Sequence, residues 1–300
     1  FIILIIYKKE FFKDIKYHFQ NTSRVKKIVI LFLIIFWAFF TSRGYIHYDS
    51  DLYHAQSIRW IEEYGIVKGL GNLHVRLAYN SSIFAVSALY SMKFLLGQSL
   101  HTVNGFMALF LSISILDIMD SFQRKKFLLS DYVRIAAIYY LTLICDEIVS
   151  PASDYAIMIT IFYIVIKWAE AIEKKEKSIV PYALLCVGGV YAISLKLTAG
   201  LILILLIKPA YMLIKEKRIK EIITYLSMGI IVILPWIVRN VIISGYLVYP
   251  YPELDLFSFR WKIDAAVAAL DAAEIKTWGR ALYNSTLVDL PINEWFGNWF

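Results

Sequence analysis

Apolar runs close to the length of a bilayer span recur along most of this 300-residue chain. Hydrophobic residues make up 59% of it, and the mean hydropathy is +0.61. Because about 20 apolar helical residues cross the hydrocarbon core of a bilayer, the pattern predicts an all-α polytopic membrane protein. The expected spans are residues 28–42, 103–120, 132–147, 155–171, 180–196, 198–214 and 222–241.

Clustered positive charges set the expected orientation, because short cytoplasmic loops retain Lys and Arg. The clusters lie before residue 28 and at residues 124–126, 174–177 and 215–220. They fall on one side only if a further apolar run, residues 81–97, does not cross but lies along or dips into the outer leaflet. The segments then expected on the outer face are 43–102, 242–300 and the turns at Ser150 and Lys196.

The chain begins at Phe1 and stops at Phe300 in an aromatic-rich stretch, which predicts a fragment at both ends. Residues 1–241 are expected to form a transmembrane domain. Residues 242–300 are expected to form an extracytoplasmic helical loop at the membrane interface, in which alanine-rich residues 263–281 have helical spacing. The part of this loop from Tyr249 onward is the segment expected to face an acceptor.

The apolar stretch from residue 180 to residue 214 is too long for one span. As a single helix it would measure about 52 Å, at 1.5 Å per residue. It is therefore expected to break at residues 197–200, a Leu-Thr-Ala-Gly sequence. Lys196 lies at that turn, where it either reaches the membrane surface or binds an anion.

Residues 43–80 form a polar island between apolar runs and contain the main candidate site. Asp49 and Asp51 are the candidate catalytic carboxylates. Asp49 or Ser50 can also cap a helix that ends near Gly65, so Asp49 is either a cap or a site residue. Three glycines then precede Arg76, and they suit either a loop that bends around a ligand or a plain connection. The candidate binding residues of the island are His54, His74 and Arg76.

A divalent metal ion is possible here but is not favoured. Its ligands would be His47, Asp49, Asp51 and His54, a mixture of imidazole and carboxylate that suits several metals. The Asp-Ser-Asp sequence also resembles the metal-binding D-x-D of soluble nucleotide-sugar glycosyltransferases. That motif follows a sheet strand, and this sequence has no alternating strand pattern and no glycine-rich phosphate loop. We therefore expect no cofactor.

Distant segments bring further charged residues to the outer face. Asp154 opens a predicted helix and is either its cap or a second site carboxylate. Lys196 and Arg239 end predicted spans on the same side, and Arg239 lies three residues after an interfacial Trp236. Together with Arg76, these two residues are candidate binding groups for a phosphate.

Five motifs carry a family resemblance, which covers roughly residues 28–262. They are YDSDLYH, W…YG.V.GLGNLH.R…NSS, SPASD, LKLTAG and PWIVRN…SGYLVYP. The pattern resembles an uncharacterised family of bacterial multi-pass proteins that is similar to the GT-C glycosyltransferases, the group containing aminoarabinose transferases and protein O-mannosyltransferases.

The resemblance implies a GT-C-like transmembrane helix bundle with extracytoplasmic juxtamembrane helices, of which residues 81–97 would be one. In that group an acidic residue of the first outer loop is commonly the catalytic base, and here Asp49 or Asp51 matches it. The usual Asp-Glu pair is Asp-Ser-Asp in this chain, so the choice stays open. Asp154 matches a second outer carboxylate, and Lys196 matches a lysine that binds lipid phosphate.

The expected function is transfer of a sugar from a polyprenyl-phosphate donor to a hydroxyl of a cell-envelope glycan, lipid or protein, with inversion at the anomeric carbon. The expected place is the outer face of a bacterial inner membrane. Two alternatives stay open: a flippase or transporter of lipid-linked sugars, and a polysaccharide polymerase or ligase of the same fold. No nucleic-acid partner is expected, because most of the net charge of +7 belongs to the inner-face clusters.

Overall fold

The computed structural model describes residues 10, 12–14, 16, 17, 19–43 and 47–299, and within them every regular element is a helix. The prediction that the chain is a fragment cut at Phe1 and Phe300 concerns residues outside this part. The α-helices are α1 (Arg24–Thr41), α2 (Ala55–Tyr64), α3 (Ser82–Leu89), α4 (Lys93–Leu96), α5 (Val103–Ile115), α6 (Met119–Arg124), α7 (Leu129–Ile144), α8 (Ser153–Glu173), α9 (Val180–Leu195), α10 (Ile207–Lys215), α11 (Ile219–Ser244), α12 (Ala265–Trp278) and α13 (Ile292–Trp299).

Four helical segments of the described chain are long and apolar enough to cross a membrane. They are Val103–Arg124, Ser153–Glu173, Leu197–Lys215 and Ile219–Ser244. These segments coincide with four of the seven predicted spans, and the all-helical membrane class is confirmed at this level. The other three predicted spans coincide with α1, α7 and α9, which have 18, 16 and 16 residues. Whether these three cross the bilayer stays a prediction.

Residues 81–97 form two short helices instead of one span. Met92, with φ of 56°, separates α3 from α4, and Gly97 ends α4 with φ of 73°. The eight residues of α3 extend about 12 Å, less than half of the hydrocarbon thickness. The location of this segment at the outer leaflet stays a prediction.

The stretch from residue 180 to residue 214 does break, but at Lys196 and not at residues 197–200, which begin the next helix. α9 ends at Leu195, and Lys196 is extended, with φ of −159° and ψ of 133°. The chain then turns back as a 3-10 helix, Leu197–Leu206, which continues into α10. The two arms pack closely, because a Cβ on Gly189 would lie 3.0 Å from Cγ2 of Ile202. Lys196 therefore stands at the tip of a helical hairpin.

Helices α1, α5, α7 and α8 form the largest core, to which each contributes an apolar stripe. Trp37 donates a hydrogen bond from Nε1 to Ser112 Oγ at 2.9 Å, which connects α1 to α5. Gly105 permits their close approach, because a Cβ there would lie 1.9 Å from Thr41 Oγ1. Large apolar side chains of α11, such as Ile231, point away from the protein, as expected for a helix that faces lipid.

A buried charge network joins α7 to α8 at one end of the bundle. Arg134 binds Asp131 at 2.8 Å and also pairs with Glu170 of α8. Arg124 reaches Asp131 at 2.6 Å, and the amide of Ser130 donates to a Glu173 carboxylate oxygen at 2.6 Å. This end carries two of the loops expected in the cytoplasm, residues 124–128 and 174–178.

The opposite end carries the candidate site. α7, α8 and α9 alternate in direction, so the start of α8 and the end of α9 meet there, together with the end of α11. α2 and α3 lie over this end and share an apolar cluster with α8 and α9. The cluster includes Ile58, Phe84, Ala156 and Leu195. This cluster supports the polar side chains of the candidate site.

Candidate functional site

Two ion pairs form the centre of the candidate site. Arg76 Nη1 lies 3.1 Å from Asp49 Oδ1, which joins the two ends of the polar island. Lys196 at the hairpin tip contacts Asp154 in the first turn of α8. Both pairs keep some exposure to solvent. The structure therefore brings together four of the residues that the sequence singled out.

The backbone around Asp49 leaves its carboxylate free for Arg76. Residues Ser50–His54 form one π-helical turn, and Asp49 precedes it in a helical conformation without a side-chain capping bond. The interpretation of Asp49 as a helix cap is therefore wrong. Ser50 Oγ lies 2.6 Å from Ser150 Oγ, and this contact connects the turn to the segment before α8.

Asp154 is also not a helix cap. The residue before α8 is Ala152, and no side chain caps this helix end. The Asp154 carboxylate instead binds the Lys196 ammonium, and the second interpretation from the sequence, a site carboxylate, stays a prediction. Asn104 holds the preceding loop through hydrogen bonds to the carbonyls of Ser150 and Ala152 at 2.8 and 2.9 Å.

Tyr53 and His54 lie between the two ion pairs. Burial raises the pKa of the Tyr53 hydroxyl, and the charges of Asp49, Asp154 and Asp271 raise it further against the opposing effect of Arg76. Burial lowers the pKa of His54 to about 4, and nearby His47 contributes to this shift. His54 is only 1% exposed, and neither ring nitrogen has a hydrogen-bond partner among the described residues.

Arg76 is held by aromatic rings as well as by Asp49. Its guanidinium carbon lies 5.8 Å from the centroid of Tyr53 and 5.3 Å from that of Trp278. Such contacts between a cation and an aromatic face are favourable by about 0.5–2 kcal/mol. Trp278 ends α12, so the outer segment after residue 242 reaches into the site.

Three consecutive residues, Tyr79, Asn80 and Ser81, connect the site to three helices. The Tyr79 hydroxyl donates to Asp271 Oδ1 of α12 at 2.7 Å. Asn80 accepts from Arg239 of α11 at 2.5 Å and donates to a carbonyl of the same helix at 2.6 Å. Ser81 donates to the last carbonyl of α9 at 2.7 Å, next to Lys196.

Arg239, expected as part of a phosphate-binding set, belongs to neither ion pair. Its side chain is buried and binds Asn80, and no described carboxylate lies within ion-pair distance of it. It is therefore a buried positive charge that contacts the segment 79–81.

Asp51 and His74 stand apart from this cluster. Asp51 is exposed, and within the described residues its carboxylate makes no ion pair or hydrogen bond. His74 is also exposed, and its Nδ1 accepts a hydrogen bond from the Arg76 amide at 3.2 Å. His74 thus caps the short helix Val75–Ala78 and positions Arg76 through the backbone.

Two glycines of the polar island, Gly69 and Gly71, serve packing within the protein, whereas Gly65 ends α2. Gly69 has φ of 65°, and its amide donates to the carbonyl of Ile242 at 2.9 Å. A Cβ on Gly69 would lie 2.8 Å from Cβ of Trp261, and one on Gly71 would lie 2.5 Å from Cδ1 of Ile263. These glycines let the first loop pack against residues 261–263, so a loop that bends around a ligand is not needed to explain them.

The described residues contain no group of three or more His, Cys, Asp or Glu side chains arranged to hold a metal ion. The set considered from the sequence does not converge: His47 and His54 stack at 6.3 Å between ring centroids, and Asp51 faces solvent. The chemistry available at this site is that of carboxylates, cations, hydroxyls and aromatic rings.

Comparison with protein families gives one match, which covers residues 1–300 and is described as domain of unknown function DUF8201. The chain belongs to this family. No curated protein and no solved structure matches the chain.

Several residues of the site were missed from the sequence. Tyr53 lies inside the YDSDLYH motif and Asn80 inside the NSS motif, so both had a local signal. Tyr249 lies inside the SGYLVYP motif, whereas Tyr79 was one of 21 tyrosines without a distinguishing context. Asp271 is one of two carboxylates in an alanine-rich helix, the other being Glu274, and only its burial in the fold distinguishes it.

Proposed function

We propose that this chain is an integral-membrane glycosyltransferase that moves a sugar from a polyprenyl-phosphate donor to an acceptor hydroxyl at the extracytoplasmic face. The observation that carries the proposal is that two ion pairs, Asp49 with Arg76 and Asp154 with Lys196, lie within electrostatic range of the same residues, Tyr53 and His54. Carboxylates and cations side by side are what a transfer from a phosphate leaving group requires.

Asp49 is the proposed general base. Its Oδ1 binds Arg76, and its other oxygen is free to accept the proton of an acceptor hydroxyl. As the proton moves to Asp49, the acceptor oxygen bonds to the anomeric carbon. The bond from that carbon to the phosphate oxygen breaks, and its electron pair stays on the phosphate. A single displacement of this kind inverts the anomeric centre.

Lys196 and Arg76 are the proposed stabilisers of the departing phosphate. Both are cations at the same end of the bundle, and both help to lower the pKa of His54. Arg76 offers a planar pair of donors that suits phosphate oxygens, and Lys196 offers a mobile point charge. Asp154 would hold Lys196 in place when the donor is absent, and Arg239 would add positive potential.

A lipid-linked donor fits this arrangement better than a nucleotide sugar. The described chain consists of helices, several of them with lipid-length apolar faces, and the charged cluster lies at one end of them. A polyprenyl tail can remain in the bilayer while its phosphate reaches that end. The membrane itself would then supply much of the donor binding.

The test is transfer of labelled sugar from a polyprenyl-phosphate pool in membranes that carry the full-length protein. Asp49→Asn should lower the transfer rate by about 10²-fold or more, because general-base catalysis contributes at least that factor. Asp51→Asn is the matched control and should stay within about threefold, as expected for an exposed carboxylate without a partner.

Lys196→Ala should also lower the transfer rate, because the departing phosphate loses one of its stabilising cations. Equal activity of the wild type and Asp49→Asn would contradict the proposed base. A product that retains the anomeric configuration would contradict the single displacement. Movement of labelled lipid between leaflets without any transfer would favour the flippase alternative.

A further inference from the structure

An apolar groove lies between α9, α10 and α11. Its volume is about 310 Å³, within the range of ligand pockets in proteins, and its walls are almost wholly apolar. All three helices line it, among them through Val190, Leu213 and Ile230. Ile230 is 58% exposed, so the groove opens on the side of the bundle, where helices of a membrane protein face lipid.

The groove has the depth of one leaflet of a bilayer. On α11 its lining runs from Ile222 to Ile233, which is about 16 Å of helix at 1.5 Å per residue. The hydrocarbon core is about 30 Å thick, so one leaflet contributes about 15 Å. Both α10 and α11 belong to helical segments that are long and apolar enough to cross a membrane. An acyl chain of one leaflet therefore matches the groove in length and in polarity.

Small residues keep the groove open. Gly229 lines it on α11, and a Cβ there would lie 3.8 Å from Cγ2 of Val190 of α9, an ordinary van der Waals contact. Ala183 lines it on α9, and Ala210 lines it on α10. Larger side chains at these positions would extend into the space between the helices.

The groove lies toward the end of the bundle that carries the buried charge network. It is lined by α10 and by the first parts of α9 and α11. Tyr182 in the first turn of α9 packs on Trp168 of α8, two residues before Glu170 of that network. The candidate site, with Lys196 at the hairpin tip, lies at the opposite end of the same helices.

Lys208 places a positive charge beside the groove. It lies between two lining residues, Leu206 and Pro209. Its ammonium is 3.7 Å from the ring centroid of Tyr182, at the level of the first turn of α9, and it forms no ion pair with a described residue. A lysine within an apolar segment is costly unless it reaches the membrane surface or an anion. Lys208 therefore has a cation available for an anionic group at this level.

The connection between α10 and α11 adds further cations. Its two carboxylates, Glu216 and Glu221, both bind Arg218, at 3.1 and 2.5 Å. Lys215 and Lys220 are exposed and have no carboxylate partner among the described residues. Lys220 lies in the first turn of α11, next to the start of the groove lining. The apolar groove thus ends at a positively charged surface.

We propose that the groove binds one acyl chain of an anionic glycerophospholipid, and that Lys208 and Lys220 bind the phosphate of its headgroup. Basic residues at the end of an apolar space between membrane helices suit such a headgroup in charge. In the orientation predicted from the sequence, the lipid belongs to the cytoplasmic leaflet. It would contact all three helices and hold the hairpin against α11. The inference does not depend on the proposed sugar transfer.

Native mass spectrometry of the full-length protein in a mild detergent tests the role of the headgroup. The probes are phosphatidylglycerol and phosphatidylcholine with identical acyl chains. We expect the protein to bind phosphatidylglycerol at least about fivefold more tightly, and Lys208→Ala to remove about that factor. Lys126→Ala is the matched control and should leave the preference unchanged, because Lys126 is an exposed lysine outside the helices that line the groove.

Gly229→Leu tests the role of the groove. Leucine at this position should fill the groove and weaken the binding of both lipids severalfold. Ser227→Leu adds the same side chain at an exposed position of α11 that does not line the groove, and it should bind both lipids as the wild type does. Ala210→Leu narrows the groove from α10 and provides the same test if Gly229→Leu does not fold.

Four outcomes would overturn the inference. Equal affinity of the wild type for the two lipids would remove the role of the headgroup. Unchanged lipid binding in Lys208→Ala, Gly229→Leu and Ala210→Leu would place the lipid elsewhere. Tighter binding of a polyprenyl phosphate than of phosphatidylglycerol would assign the groove to a polyprenyl chain. A dimer of the wild type that Gly229→Leu dissociates would mean that a second copy of the chain covers the groove.

The two proposals fail separately. Selective binding of phosphatidylglycerol by a protein that transfers no sugar would support the lipid site and contradict only the transferase. Asp49→Asn should retain the lipid, because Asp49 lies at the opposite end of the bundle from the groove.

Discussion

His54 combines deep burial with two ring nitrogens that lack partners. Its pKa is about 4 in the folded protein, against an ordinary value of 6.5. The unfolded chain therefore takes up a proton as the pH falls through 6.5, while the folded chain takes it up only near pH 4. Proton uptake favours unfolding in this window, so the stability contributed above pH 6.5 is lost toward pH 4.

We expect the melting temperature of the wild type in detergent to fall more steeply between pH 6.5 and pH 4 than that of His54→Phe. Phenylalanine suits the site because His54 already contacts Phe84 and Tyr53 through its ring. His74→Phe changes an exposed histidine and serves as the control, with the profile of the wild type. Identical profiles for the wild type and His54→Phe would contradict the burial argument.

The charged residues of the site were predictable because each is an exception in an apolar chain. Asp49, Arg76, Asp154 and Lys196 stood out at the ends of apolar runs, and the structure brings them together. Their pairing was not predictable, since it depends on how α8 and the hairpin tip meet. Asp271 could not be found at all, because a carboxylate in an alanine-rich helix gives no sign of which side is buried.

At the scale of elements, the segment Tyr79–Ser81 holds α9, α11 and α12 in register. Asn80→Ala removes the amide that binds Arg239 and leaves this buried guanidinium without its partner. We expect it to lower the free energy of unfolding by about 2 kcal/mol or more, because a hydrogen bond to a charged group is lost. Urea unfolding in mixed micelles measures this change.

Ser82→Ala is the control for that experiment. Ser82 is half-buried at the start of α3, next to the same segment. Its replacement should change the free energy of unfolding by less than about 0.5 kcal/mol. Similar losses in the two variants would mean that Asn80 contributes only as a loop residue.

The network at the other end of α7 and α8 makes a second prediction about elements. Arg134→Ala leaves the buried carboxylates of Asp131 and Glu170 without their shared cation. Removal of one partner from a buried ion pair costs about 3–5 kcal/mol. Lys174→Ala, which changes an exposed cation 3.7 Å from Glu170, should cost less than about 1 kcal/mol. Thermal unfolding of the two variants in the same detergent compares them, and equal shifts would contradict the network.

Helix positions were largely predictable. Which of the predicted spans are long enough to cross a bilayer was less predictable. That the stretch 180–214 breaks followed from length alone, since no single span accommodates 35 residues, but its position at Lys196 was predicted one residue too late, at residues 197–200. α1, α7 and α9 were predicted as spans from hydropathy, yet they have 18, 16 and 16 residues. Hydropathy shows where apolar residues lie, but it does not show which charged residues are buried. Arg134 and Asp131 near the start of α7 are buried against Glu170 of α8, so this end of α7 lies in the protein interior.

At the scale of the whole molecule, the two charged ends should lie on opposite sides of the membrane. A cysteine at Lys125 lies near the charge network, and a cysteine at Asp255 lies in the outer segment. In a background with Cys145 and Cys186 replaced by alanine, an impermeant maleimide added to intact cells should label the cysteine at 255 and spare the one at 125. Both should react after the cells are opened. Labelling of the cysteine at 125 from outside would reverse the orientation or remove a span.

The two ion pairs also determine what an incoming phosphate must do. Each cation at the site already neutralises a carboxylate, so the empty site has little net attraction for an anion. A phosphate that binds Arg76 has to replace Asp49 as its partner, and a phosphate that binds Lys196 has to replace Asp154. Binding is then an exchange of partners that releases a carboxylate as it captures the anion. If the proposed transferase function holds, Asp49 would become a stronger base once Arg76 has turned to the phosphate, so transfer would follow donor binding.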